Sequence, residues 1–518
     1  MLERLLLESR LADVLPKDWK ARIYHVSTPP TASSPILATL PSQKDQTTFR
    51  ESHFLAVASS PEGAAGCSAV FIYAIEVLIF ATATLNTVFV SKADSSGFLP
   101  KLNTSKTSGS IVQSITQVFL DYLLAPCLEK SKVVLSLFAR SQHQYLFAGS
   151  IENPEKHVLD DRQLIKWWCK ILDHVWRPYD HSITPSSKRH SVTAYLVVPG
   201  CDKAETRIFF PASTGLDPPA HPKWLNSYPE GFITGDRNIP PRCAIPRLPD
   251  DPKSRFLDDL DGDYVGPEGQ WRSVKSLSQF WEMMAYRQEC HAGRLVGFIW
   301  ITFQTESLSP TTEILHATNK STSTPDQSPH SVLPTPLHYT SEVSHPQNGT
   351  IIPEVQPESA QPPHPRLSSS PLRHQHTELP FQAHGSTDPT TPSINNTTPK
   401  GEVILTPENY DALMNFLLHL DFTGMDTAAE STRKWTEKVI ELAPITAFGQ
   451  TIVGRQIAVG NSPQLATVPA QEANLLTGIR KKRKVDPDPS TTAPPGRQQP
   501  NILSSGLIRK KPKKEMNS

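Results

Sequence analysis

The densest group of reactive side chains lies in Pro249-Asp250-Asp251-Pro252-Lys253-Ser254-Arg255-Phe256. Two adjacent carboxylates beside a lysine and an arginine can exchange protons, and a helix starting there would add a preference for anions. The same spacing also has a purely structural use. Asp251 suits a helix N-cap, Pro252 the first helical position, and Phe256, Leu257 and Leu260 an inward face. A second group runs from Phe138-Ala139-Arg140-Ser141-Gln142 through Tyr145-Leu146-Phe147 and Lys156-His157 to Lys166-Trp167-Trp168. Cations alternating with aromatics suit a ligand that has both phosphates and flat or apolar parts, whereas paired aromatics on a helix more often belong to a core. A third group, Val90-Ser91-Lys92-Ala93-Asp94-Ser95-Ser96-Gly97, reads as a strand entering a polar turn. No Walker A loop, dinucleotide GxGxxG, GxSxG or HExxH occurs.

These groups need elements to carry them. The apolar run from Ser68 to Val90 is long enough to raise a membrane reading. Glu76 near its centre and its Val, Ile, Phe, Tyr and Thr content fit two buried strands instead, about 69–80 and 87–92, with a turn at Thr84-Leu85-Asn86-Thr87. Helical spacing predicts helices over 111–124, 161–175 (Leu164, Ile165, Trp168, Leu172, Val175 inward) and 274–289. Short strands are expected at 194–198 and 207–210, and a longer one at 294–303. The N-terminus reads as an amphipathic helix with Leu2, Leu5, Leu6 and Leu11 on one stripe, stopped at Pro16. Its interrupting charges exclude a signal peptide.

Composition then divides the chain. Residues 305–400 hold 16 of the 49 prolines and few aromatics, too little apolar surface to offset ordering entropy. Seven Ser-Pro or Thr-Pro pairs there, from Ser309 to Thr398, are candidate phosphorylation sites, or simply part of a variable insert. Order returns at Thr406-Pro407, a cap and first-turn pair, followed by Leu413, Phe416, Leu417 and Leu420, a helix over 427–442 and a strand at 451–453. The expected division is a core over 1–304, a disordered insert over 305–400, a helical C-terminal part over 401–460 packing on the core, and a disordered basic tail over 461–518.

The formal net charge of the 518 residues is zero, with 37% hydrophobic residues against the roughly 45–50% of globular chains. That zero is a sum of unlike parts. Residues 478–518 carry 11 Lys/Arg against 3 acidic groups, a net of +8, so the remaining 40 basic and 48 acidic groups leave −8 upstream. An acidic body suits a cationic substrate and argues against sequence-specific DNA binding. The run Lys481, Lys482, Arg483, Lys484 and a second one at 509–514 read as a nuclear signal or a docking tail. Six cysteines without a CxxC pair fit a reducing compartment and give no metal site.

FVSKAD (89–94), QYLF with KH and KWW (144–168), PDDPKSRF (249–256) and SLSQFWEMMAYRQE (276–289) together resemble the fungal, chaperone-dependent histone H3 lysine acetyltransferases. The pyrophosphate loop of ordinary small acetyltransferases is absent. The resemblance implies an α/β fold, a central mixed sheet flanked by helices, similar to the acetyltransferase core of the CREB-binding protein. It implies acetyl-CoA as cosubstrate and no metal, and histone H3–H4 as substrate, at a core-helix lysine near the DNA entry point and at tail lysines. Partners would be acidic histone chaperones of the anti-silencing and nucleosome-assembly types, in the nucleus and not at a membrane. Asp94, Asp250 and Asp251 match positions important for activity, Lys253 a self-acetylated lysine, and Tyr145, Trp167 and Trp168 walls of the lysine tunnel. Ala93, Phe138, Arg140, His157, Val158, Leu159 and Arg255 match the cofactor's surroundings. Gln142 stands there too, in place of the family's small residue.

A substrate lysine with pKa near 10.4 must lose a proton before it attacks a thioester, and a nearby carboxylate can take it. Asp251 is the preferred candidate, with Asp250 beside it. The oxyanion donor is not identified by the sequence. The competing reading is a non-catalytic chromatin adaptor that keeps the fold only for binding.

Overall fold

The computed structural model describes residues 7–59, 69–102, 108–129, 132–180, 190–235, 239–263, 265–287, 290, 294–305 and 400–457. All of them fall in one compact unit that ends at Ala458. The expected insert with its Ser/Thr-Pro pairs, the basic tail with Lys481–Lys484, and Leu2, Leu5 and Leu6 lie outside the described residues.

Among the described residues eleven strands form one sheet: β1 (Lys20–Ser27), β2 (Thr31–Ser33), β3 (Thr48–Ser59), β4 (Val70–Ala81), β5 (Asn86–Ser95), β6 (Lys132–Arg140), β7 (His190–Val197), β8 (Trp224–Leu225), β9 (Val296–Thr305), β10 (Val403–Ile404) and β11 (Gln450–Val453). The main path runs β10-β1-β3-β4-β5-β6-β9-β7-β8, with β11 on β1 and β2 on β3. The β1–β10, β5–β6 and β7–β8 pairs are parallel and the other pairs antiparallel, so the sheet is mixed. β4 and β5 are the two strands expected from the apolar run, joined by a turn in which Thr82 donates its N–H to the Leu85 carbonyl at 3.0 Å. Among the described residues no helix is long and apolar enough to cross a membrane.

Period-two alternation decides what each face buries. Val133, Leu135, Leu137 and Ala139 of β6 and Ile299, Ile301 and Phe303 of β9 share a core with the helices Ser108–Cys127 and Asp161–Trp176. Val134, Val296, Phe298 and Trp300 face the other way, onto the helices Pro252–Asp263 and Leu277–Met284. Gly297 lets the Asp161–Trp176 helix approach closely, because a Cβ there would stand 2.8 Å from Ile165 Cγ1.

Residues 400–457 belong to this same sheet. Trp435, on the helix Met425–Leu442, is fully buried among Tyr24, Phe54, Phe71 and Phe448. Thr432 Oγ1 on the same helix accepts the Phe71 N–H at 3.0 Å. The sequence between β9 and β10 therefore interrupts one folding unit.

Two local expectations fail. Residues 207–210 are not a strand: Asp202 and Glu205 form a reciprocal capping box that starts the helix Lys203–Arg207, and the chain leaves it through turns. The helix expected over 274–289 starts only at Leu277, where the Ser276 side chain caps it by accepting from the Gln279 N–H, and runs to Met284; residues 288 and 289 lie outside the described residues. Strands β1, β2 and β3 have no counterpart among the expected elements.

Candidate active site

The site begins where two parallel strands separate. β5 and β6, linked through the Ser108–Cys127 helix, are paired from Asn86↔Val133 to Val90↔Leu137. Both then run on unpaired with each other, to Ser95 and Arg140. A bulge lies at the same point: Val77 pairs with Val90 and Glu76 with Lys92, which leaves Ser91 as the extra residue. The ends of parallel strands are where open α/β sheets place ligands.

A pocket occupies this gap. Lys92, Ala93 and Asp94 line it from β5, Phe138 and Arg140 from β6, and Gln142 and Tyr145 from the following loop. His157, Val158 and Leu159 line it from the next segment, and Trp167 and Trp168 from the Asp161–Trp176 helix. The two indoles meet edge to face at 4.9 Å, Trp168 buried and Trp167 half-buried. The helix start is fixed by a capping box between Asp160 and Gln163. The Arg140 guanidinium has no side-chain partner among the described residues. Apolar walls, a free guanidinium and an exposed His157 fit a thioester that carries phosphates.

Asp94 holds the pocket's loops together. Its Oδ2 accepts the backbone N–H groups of Tyr145, Leu146 and Phe147 at 2.8, 2.9 and 3.1 Å. Its Oδ1 takes Lys156 Nζ at 2.9 Å, and Lys156 also donates to Ser150 Oγ at 2.7 Å. One buried carboxylate thus ties β5 to both loops. Gly97, at φ 82°, lets the second loop come close, since a Cβ there would stand 2.6 Å from Lys156 Cβ. The Tyr145 hydroxyl donates to the Arg140 carbonyl at 2.6 Å, and burial pushes the phenol's pKa up, so it stays protonated.

A groove adjoins the pocket and shares Ser91, Lys92, Phe138, Arg140, Gln142 and Tyr145 with it. Asp250 and Asp251 both line it but sit differently. Asp251 caps the Pro252–Asp263 helix through the Lys253 N–H at 2.9 Å, and its other oxygen pairs with Lys253 Nζ. Both side chains are buried, and the ammonium lies 4.4 Å from the Phe298 ring centroid and 5.7 Å from that of Trp300. Burial lowers the Lys253 pKa, against the pull of Asp251. Asp250, in the left-handed region at φ 57°, turns outward with its side chain 62% exposed. Arg255, expected at the cofactor, lines the groove and not the pocket.

The groove also contains residues absent from the expected set. Lys92 Nζ bridges Asp250 Oδ2 at 2.7 Å and Glu76 Oε2 at 3.2 Å, and the Tyr410 hydroxyl donates to Glu76 Oε1 at 3.1 Å. Glu76 is a buried carboxylate within the apolar run of β4, and that anomaly was its visible signal. Tyr410 and Asp411 come from the helix Pro407–Leu418, beyond the insert, so no local motif could have found them. Burial raises the Asp411 pKa, partly opposed by Arg50. Among the described residues no group of His, Cys, Asp and Glu could hold a metal ion.

A family model of the histone acetyltransferase KAT11-type domain matches residues 7–127 and 121–438. The chain belongs to the KAT11-type histone acetyltransferases. It is 38% identical to histone acetyltransferase rtt109 of Aspergillus flavus, over 93% of this chain and 90% of that one. It is 34% identical to rtt109 of Schizosaccharomyces pombe over 45% of this chain and 57% of the relative. The crystal structure of Rtt109 from Aspergillus fumigatus superposes with a TM-score of 0.65 at 37% identity, covering 88% of this chain and 100% of that one. The chain is therefore a histone acetyltransferase, and the family implies acetyl-CoA as its cosubstrate. The adaptor reading gives way to an enzyme.

Proposed function

We propose that the pocket between β5 and β6 takes acetyl-CoA and that the adjoining groove delivers lysines of histone H3, in H3–H4, to the acetyl group. One observation carries this reading: a groove lined by exposed carboxylates opens directly into the pocket. Asp250, Asp258 and Asp411 line it with side chains 62%, 71% and 62% exposed; each meets one cation (Lys92, Arg247 and Arg50) through a single oxygen, which leaves carboxylate surface for a basic histone segment.

In this reading Trp167, Trp168 and Tyr145 confine the acetyl group and the lysine stem, and exclude water from them. Asp94 acts as a positioning residue for the loops that carry Tyr145 and His157. The sequence favoured Asp251 as proton acceptor, but both its oxygens are engaged by Lys253. Asp250 faces the groove, so it is the carboxylate that meets the incoming ammonium. Lys253, buried with Asp251 behind the groove, is the self-acetylated lysine, a charge whose loss would change the local field.

The substrate lysines would be one in the core helix near the DNA entry point and several in the tail. Acidic chaperones of the anti-silencing and nucleosome-assembly types would present H3–H4, in nuclear, replication-coupled nucleosome assembly that protects the genome. The +8 tail with Lys481–Lys484 supports import or chaperone docking. The test is incubation of the full chain with acetyl-CoA and H3–H4, with and without chaperone, and mapping of acetyl-lysines by mass spectrometry. Chaperone-stimulated acetylation of H3 is expected; acetylation confined to H4 would overturn the substrate assignment.

A further inference from the structure

Lys92 lines both the pocket and the groove, where the two meet. An ammonium has three donors. Two of them meet Glu76 Oε2 at 3.2 Å and Asp250 Oδ2 at 2.7 Å, and Lys92 has no further partner among the described residues. The side chain is 23% exposed, enough to be reached from the cavity. Ser91 Oγ beside it also lacks a partner among the described residues, but it is closed off from solvent.

We propose that Lys92 donates its third N–H to the thioester carbonyl oxygen as that oxygen becomes an oxyanion, which makes Lys92 a catalytic residue for acetyl transfer. The proposal rests on the pocket and groove being the acetyl-CoA and lysine sites. Burial alone would lower the Lys92 pKa, but Glu76 and Asp250 outweigh it and hold the value above the ordinary one, so the charge is present at neutral pH. Two fixed carboxylates, the first held in turn by Tyr410, orient the ammonium before reaction. A donor aimed in advance at developing charge needs no reorganisation in the transition state.

The step balances as follows. The neutral substrate amine forms its N–C bond while the carbonyl π pair moves onto oxygen, where the Lys92 N–H meets it. The pair then returns as the C–S bond breaks, and the thiolate departs with the bonding electrons. The substrate ammonium gives up two protons over the reaction, one before attack to Asp250 or water and one that ends on the thiolate. Lys92 keeps its own.

Replacing Lys92 alone would strand buried Glu76, so the informative variant is Lys92→Met with Glu76→Gln, in the full chain. The Tyr410 hydroxyl can still donate to the glutamine. With acetyl-CoA and H3–H4, kcat should fall by about a hundredfold while the KM for acetyl-CoA and the melting temperature stay near wild type. Lys92→Arg, which keeps cation and donors, should retain most of that loss as activity. Turnover within threefold of wild type in the paired variant would overturn the proposal, as would an Arg variant no better than the paired one. Failure of the pocket assignment shows separately: Arg140→Ala would then leave the KM for acetyl-CoA unchanged.

Discussion

Asp251→Asn removes the one carboxylate that, among the described residues, pairs with a lysine that is itself 1% exposed. Lys253 then keeps the faces of Phe298 and Trp300 and at best a neutral amide oxygen in place of the carboxylate. Breaking a buried pair by removing one partner costs about 3–5 kcal/mol. Lys253 can cap that cost by losing its proton. From an ordinary value of 10.5 to pH 7.5 is three units, about 4 kcal/mol at 1.36 kcal/mol per unit. The two routes agree. With roughly 2 °C per kcal/mol for a large domain, the melting temperature should drop by about 6–10 °C at pH 7.5.

The pH dependence has a definite sign. In the variant the folded chain holds Lys253 neutral while the unfolded chain still binds the proton below 10.5, so stability rises with pH. The gap to wild type should narrow by about 1.4 kcal/mol per unit between pH 7.5 and 9.5. Urea unfolding at three pH values measures this. Adding Lys253→Met should restore stability, because no stranded charge remains. If Asp251 acts only by positioning, kcat returns with it; if it accepts the substrate proton, kcat stays down by on the order of a hundredfold. A gap that does not change with pH, or no rescue by Lys253→Met, would refute the buried-pair reasoning.

Asp94→Asn should raise the KM for acetyl-CoA several-fold and speed hydrogen exchange over 145–157, because Lys156 loses its charged partner; unchanged exchange there would contradict the tethering role. Gly297→Val should push the Asp161–Trp176 helix off the sheet, costing about 1–3 kcal/mol in urea unfolding and raising the KM for acetyl-CoA through Trp167 and Trp168. His25, buried against His53 with their ring nitrogens 3.1 Å apart, has its pKa held well below 6.5 by burial and by His53. The unfolded chain takes up that proton first, so this stability is present above pH 6.5 and lost as pH falls below it; thermal melts should show a shallower acid limb in His25→Phe.

Local pattern made much of this chain legible. The β4–β5 pair follows from Glu76 and the β-branched run, the Asp161–Trp176 helix from Leu164, Ile165, Trp168 and Leu172, and the Pro407–Leu418 helix from Thr406-Pro407. The failures were local as well. A capping box at Asp202 and Glu205 overrode the apolar Ile208-Phe209-Phe210, and β1 to β3 are held by pairing with one another and with β4, which no spacing within one strand marks.

What the sequence determined by itself is the inventory: the clusters around Asp94, Trp168 and Asp250–Asp251, the caps, and the division of charge between body and tail. Those depend on neighbours within one or two turns of chain, and so are written in order. The tertiary structure alone decided which carboxylate is exposed in the groove and which is locked to Lys253, and that Glu76, Lys92 and Tyr410 form one chain of contacts ending at Asp250. Tyr410 and Glu76 are 334 positions apart. Side-chain direction and such long-range contacts are fixed by where the sheet brings backbone segments together, which no local spacing encodes.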